Sequence, residues 1–180
     1  TPSGEVPIQH LRPGDEVVTR DNGVQRLIWS AARRLRQKEL ARNIDLRPIA
    51  IKPTLVGAHS PLLVSPQHGM LVQSETGDET LVRARHMARL QGGQARVAHG
   101  RSEVVYIHLM FESHQIIFAN GAWTESFQPG DLTLSSMDSA QRAELLALFP
   151  EAEFAGQGYA AARPALKSYE TDILLGSGHE

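Results

Sequence analysis

Residues 62–72, LLVSPQHGMLV, are an apolar run broken at its centre by Ser65, Pro66, Gln67 and His68. A strand that only needs burial has no use for a hydroxyl and an imidazole three residues apart in its middle. On an unbroken strand that offset sends the two side chains to opposite faces. Pro66 removes a ladder donor, so the strand breaks there, and a bend after Ser65 brings hydroxyl and imidazole to one point. An imidazole so placed can polarise or protonate a reacting group near neutral pH. The pair can equally be a bulge whose polar groups satisfy the local backbone. Taken alone, the pair does not separate these readings.

The other imidazoles are scattered. His108 and His114 lie in YIHLMFESHQIIFANG, and His59 and His86 stand apart from them, with no His-x-x-x-His pair. Cysteine is absent, which removes disulfides, thiolate metal sites and a thiol nucleophile from these residues. A metal site needs three or four converging ligands, and this spacing offers none, so neither metal nor cofactor is expected. Thr1 would be a nucleophile only as a true N-terminus, with its own amine as base. TPSGEVPI reads instead as an edge strand and turn leading into a body, cut from a longer sequence.

Ser65 and His68 must be held by the elements around them. The chain has 180 residues, 41 % hydrophobic and 21 % charged, which suits one globular domain with room for a small second lobe. A net charge of −2 carries no nucleic-acid footprint. Arg33, Arg34, Arg36 and Lys38, followed by Glu39, read as a solvated face. No apolar run approaches the roughly 20 residues that span a membrane.

Turn chemistry divides the first part of the chain into short strands. Pro13-Gly14 fits the centre of a type II turn, and Asp21-Asn22-Gly23 fits a hairpin turn between EVVT and VQRLIW. QKELARN supports one or two helical turns before IDLRPIAI resumes strand character. LLVSPQHGMLV and ETLVRARHM follow as strands joined by SETGDE, and Gly92 to Gly100 reads as loop. VVYIHLMF and QIIFANGAW look like a hairpin turning at Glu112-Ser113. From about residue 135 the period becomes helical. DSAQRAELLALF has Asp138 as N-cap, Gln141 three residues on and Pro150 beyond its end, and a second helix is expected in the tail with Pro164 near its first turn. The expectation is a mostly β body over 1–134 with a helical extension over 135–180. One short echo joins Leu11-Arg12-Pro13-Gly14-Asp15 to Phe127-Gln128-Pro129-Gly130-Asp131.

Four blocks in order resemble the Hint family of hedgehog/intein-type autoprocessing domains, and most closely its branch in large, often secreted bacterial proteins. TPSGEVPIQHLRPGDEVVTRDNG is similar to the opening block, and VQRLIWSAARRL to the stretch after it. LLVSPQHGML is similar to the block carrying Thr/Ser-x-x-His. VVYIHLMFESHQIIFANGAWTESFQPGD is similar to the closing block. The resemblance covers about residues 1–150.

It implies a compact, pseudo-symmetric β horseshoe, with the echoed Pro-Gly-Asp turns as the two halves of that symmetry. It also implies chemistry at the domain's own N-terminal junction. An N-terminal Cys or Ser attacks the preceding carbonyl and converts an amide to a thioester or ester, and a second nucleophile then takes the acyl group. By resemblance Ser65 holds the scissile amide, His68 protonates its nitrogen, and His114 assists the second transfer. The acyl donor is the domain's own upstream polypeptide. The implied nucleophile stands several residues before Thr1, so no self-cleavage is expected within the 180 residues. Ser126 stands where hedgehog-type domains often have a cysteine, a position for a second nucleophile. An acidic residue of the intein closing block is replaced near Ile107-His108. GAWTESF stands where inteins end in His-Asn, so asparagine cyclisation is not expected. Two rival readings remain, a Hint-fold interaction module without chemistry and a metal-dependent hydrolase built on the scattered histidines.

Overall fold

The computed structural model describes residues 1–90, 92–127, 143, 147 and 160–176. These residues are mostly β, with short helices between strands. The first hairpin pairs β1 (Glu16–Val18) with β2 (Val24–Arg26) across Asp21-Asn22-Gly23, and Gly23 takes a positive φ of 63° as that turn demands. Pro13-Gly14 closes its own turn through the Asp15 N–H donating to the Arg12 carbonyl at 3.0 Å. An eight-residue ribbon then joins β3 (Trp29–Arg36) to β9 (Glu103–Met110).

The rest of the body is two sheets. In one, β4 (Ile49–Ile51) is central between β5 (Leu62–Val64) and β8 (Ala95–Val97). The other runs in the order β10 (Ile116–Ala119), β11 (Ala122–Glu125), β6 (Gly69–Gln73), β7 (Glu79–Arg83). The main core lies between them, where Ile49, Ile51, Met70, Val82 and Met87 are buried together. A second core of Leu11, Val17, Leu27, Leu109 and Phe111 joins the first hairpin to the base of the ribbon. The ribbon's far end closes on α1 (Gln37–Arg42) through Leu35, Leu40 and Val104, and the buried Tyr106 hydroxyl donates to the Leu46 carbonyl at 2.7 Å.

Several sequence expectations change in the structure. VVYIHLMF and QIIFANGAW are not partners, since β9 pairs with β3 and β10 with β11. QIIFANGAW is itself the hairpin. Asn120 and Gly121 turn it with φ of 52° and 88°, the two positive values of a type I′ turn. The loop expected over 92–100 contains β8, and the end of ETLVRARHM is a helical turn (Ala84–Met87). TPSGEVPI forms a turn, not an edge strand, and a 3-10 turn follows at Ile8–His10.

The tail helix exists but starts later than expected, at Ser168–Gly176. Pro164 precedes it in an extended stretch that covers the open edge of β7. The Leu81 N–H donates to the Pro164 carbonyl at 2.8 Å, and the Leu166 N–H to the Leu81 carbonyl at 2.9 Å. Arg163 fastens this stretch to the Asp21 and Glu79 carboxylates, each at 2.7 Å, and Arg20 also pairs with Glu79. Of the helix expected over 138–149 only residues 143 and 147 are described, both helical, and Pro129-Gly130-Asp131 of the echo and the 134/135 boundary lie outside the described residues.

The Asn120-Gly121 turn docks on the main chain of His59, whose N–H donates to the Asn120 carbonyl at 2.8 Å. A Cβ at Gly121 would stand 3.0 Å from that nitrogen, on a backbone that disfavours any side chain. Gly121→Ala should therefore cost about 1–3 kcal/mol, read as a lower urea midpoint at unchanged slope. An unchanged midpoint would mean that the turn relaxes freely.

Candidate functional site

The break at Ser65-Pro66 is where the chain leaves one sheet for the other. β5 ends at Val64, a tight turn closes with the His68 N–H donating to the Ser65 carbonyl at 3.1 Å, and β6 begins at Gly69. The carbonyls of Pro66, Gln67 and His68 and the N–H of Gly69 are held from outside the turn. The Pro66 carbonyl accepts the Arg85 N–H and the His68 carbonyl accepts the Ala84 N–H, both at 2.9 Å. The Arg83 guanidinium donates to the Gln67 carbonyl at 2.8 Å, and the Gly69 N–H donates to the Glu125 carboxylate at 2.7 Å. Arg83 and Glu125 pair with each other at 2.5 Å, with side chains only 10 % and 8 % exposed. Glycine at 69 is a matter of space, since a Cβ there would lie 2.8 Å from the Glu125 carboxyl.

The turn brings Ser65 and His68 together in the wall of a cavity of about 940 Å³. Thr1 and Val6 of the N-terminal segment, His108 of β9, and Ser126 also line it. The His68 Nε2 hydrogen-bonds the Thr124 hydroxyl. That hydroxyl also donates to the Gly69 carbonyl at 3.0 Å. Ser126 is buried, with its Oγ accepting the Gln115 N–H at 3.0 Å.

His114 is not in that wall. Its side chain is fully buried behind Glu125, and its Nδ1 accepts the Ala162 N–H of the tail at 3.1 Å. Its Nε2 stands 3.7 Å from the Glu125 Oε2, and neither atom has a hydrogen-bond partner among the described residues. Of the residues singled out from the sequence, Ser65, His68 and Ser126 thus share the cavity, and His114 supports it from beneath. His59 does not line the cavity, and its ring is in an exposed pair with Glu5 at 2.8 Å. Among the described residues no three His, Asp or Glu side chains converge as a metal site would require.

Sequence reasoning missed Arg83, Thr124, Glu125 and Gly69. A charged residue after an apolar run was the available signal for Arg83, and Glu125, between Thr124 and Ser126, had none. Nothing local names their partners.

Burial sets the protonation states. It lowers the His68 imidazole to about 3, with help from the nearby charges of His108, Arg83 and His114. Burial likewise holds His108 at about 4 and His114 at about 4, with Arg83 adding to the latter. The Glu125 carboxyl is raised by burial, with Arg83 pulling the other way. The three imidazoles are therefore neutral in the fold at pH 7, whereas unfolded they would protonate near 6.5. Below that pH the unfolded chain binds the extra protons, so acidification removes stability from about pH 6.5 down to about 4. Each histidine contributes up to about 1.4 kcal/mol per pH unit. Glu125 has the opposite sign, because its raised carboxyl takes a proton first in the folded state. One carboxyl against three imidazoles leaves a net loss. Urea midpoints should fall between pH 7 and pH 5, and His68→Gln should shallow that slope. Equal midpoints at the two pH values would contradict the neutral, buried assignment.

A family model for the Hint domain matches residues 1–131. No curated protein matches the chain. Among solved structures it is similar to the crystal structure of the MchDnaB-1 intein, at 12 % identity and a TM-score of 0.43, over 69 % of this chain and 92 % of that one. It is also similar to a variant of the same intein at 13 % identity and a TM-score of 0.41, over 71 % of this chain and 93 % of that one.

Proposed function

The chain belongs to the Hint domain family, and on that premise we propose that it processes its own polypeptide by an N-to-S or N-to-O acyl shift at its N-terminal junction. One observation carries the reading. Ser65 and His68 line the same cavity as Thr1 and Val6 of the N-terminal segment, which supports a site at that junction.

The chemistry matches what an amide requires. An amide is a poor electrophile with a poor leaving group, so a site must hold the carbonyl and protonate the departing nitrogen. In this reading a Cys or Ser upstream of Thr1 attacks the preceding carbonyl, and the Ser65 hydroxyl holds the scissile amide. A neutral His68 accepts the nucleophile's proton and passes it to the nitrogen as the C–N bond breaks. The Ser126 hydroxyl, in the same wall, is the protein's candidate for taking the acyl group in a second step. His114 contributes by supporting Glu125 and Ser126 from behind.

The reading is tested in the chain extended upstream through its natural junction. His68→Ala should slow cleavage by about 100-fold or more, the usual loss for a general acid, or roughly 3 kcal/mol of barrier. Ser65→Ala should slow it less. His114→Ala should impair the later step, so that the ester or thioester accumulates and hydroxylamine traps it. Thermal melts on the same variants separate chemistry from stability. If His68→Ala melts lower yet cleaves at the parental rate, the catalytic assignment is wrong. If the extended parent never cleaves, the domain retains the fold without the reaction.

A further inference from the structure

We propose that Thr124 is a positioning residue for this processing reaction, holding His68 in the tautomer that carries its proton on Nε2 and leaves the Nδ1 lone pair for the reacting amide. The inference rests on the processing role of His68, but its own evidence is a count of protons.

A threonine hydroxyl has one proton to give and lone pairs to receive. The Thr124 hydroxyl touches the Gly69 carbonyl at 3.0 Å, the Met70 Sδ at 3.6 Å and the His68 Nε2. A carbonyl oxygen and a thioether only accept, so the hydroxyl proton given to Gly69 or Met70 leaves the Thr124 oxygen to receive from the ring. The contact with His68 is then a hydrogen bond only if Nε2 supplies the proton. In a neutral imidazole, a proton on Nε2 leaves Nδ1 bare. No described residue hydrogen-bonds Nδ1, and His68 lies in the cavity wall.

Thr124 is itself held firmly. It is buried at 4 % exposure, and its Cα pairs with Met70 where β11 meets β6. The hydrogen bonds run from His68 through Thr124 to the carbonyl of Gly69, the residue after His68. The ring is thus tied to its own main chain, whose next peptide N–H is held by Glu125. Ring and backbone share one rigid frame.

The assignment orders the proton movements. The nucleophile's oxygen or sulfur bonds to the scissile carbonyl carbon, and its proton goes to Nδ1. The imidazolium keeps Nε2–H on Thr124 while Nδ1 gives the same proton to the amide nitrogen. The C–N bond then breaks and its electron pair stays on nitrogen. No proton is gained or lost overall, and one ring nitrogen serves both transfers without a ring flip. The opposite tautomer would present a donor to the amide N–H and block the first transfer. A hydroxyl suits this task because it accepts from the ring in both charge states without adding a charge of its own.

Two measurements test the proposal. Ring nitrogen NMR of the 180-residue chain at neutral pH should show His68 with Nε2 protonated and Nδ1 unprotonated. Thr124→Ser should keep that signature and Thr124→Val should lose it. In the upstream-extended chain, Thr124→Val should cleave about 10-fold slower or worse, with Thr124→Ser within about 3-fold of the parent. A parental His68 protonated on Nδ1 would overturn the proposal. So would parental-rate cleavage by Thr124→Val when His68→Ala is slow. Parental-rate cleavage by His68→Ala would instead overturn the processing role, whichever tautomer NMR reports.

Discussion

The buried pair of Arg83 and Glu125 is the interaction on which the rest of the site depends. Two charges removed from water are costly unless their remaining hydrogen-bonding capacity is used. Here part of that capacity is turned on the backbone around His68, through the Glu125 Oε1 and the Arg83 guanidinium. Arg83 takes the carbonyl before it and Glu125 takes the N–H after it. Two strands distant in sequence therefore grip one turn from both sides. Removing either charge would leave its partner buried alone, typically a loss of about 3–5 kcal/mol, and would free the peptide groups beside the imidazole. Gly69 follows from the same constraint, because the carboxylate needs the space that a side chain would fill.

What was legible in the sequence is what local chemistry decides. Pro66 announced a strand break, and Asp21-Asn22-Gly23 and Pro13-Gly14 announced turns. Each acts through its own backbone preferences, and the fold keeps all three. Ser65 and His68 stood out because polar residues interrupted an apolar run, and the turn does bring them to one wall. The mostly β character and the family resemblance were equally readable.

The rest depends on contacts between residues far apart. VVYIHLMF and QIIFANGAW are adjacent apolar runs, so a hairpin between them was the simplest reading, yet β9 finds its partner in β3 across some seventy residues of chain. Asn120-Gly121 was a turn signal passed over inside a run that looked continuous. β8 is three residues set among glycines, and only its ladder with β4 makes it a strand. Thr124 and Glu125 look like an ordinary polar strand end in GAWTESF. Their roles exist only once β11 lies beside β6. His114 was legible as an imidazole near a turn, but its burial behind Glu125 was not.

The Ala162 amide that faces His114 carries a consequence for timing. The ribosome makes the chain from its N-terminal end, so Ser65 and His68 emerge early, and β11 closes their turn roughly sixty residues later. The donor to the His114 ring comes 48 residues after that histidine, on a stretch secured by Arg163. The nascent domain can therefore assemble its cavity wall before the support beneath it exists. Synthesis itself imposes an order of completion, with the floor of the site finished last.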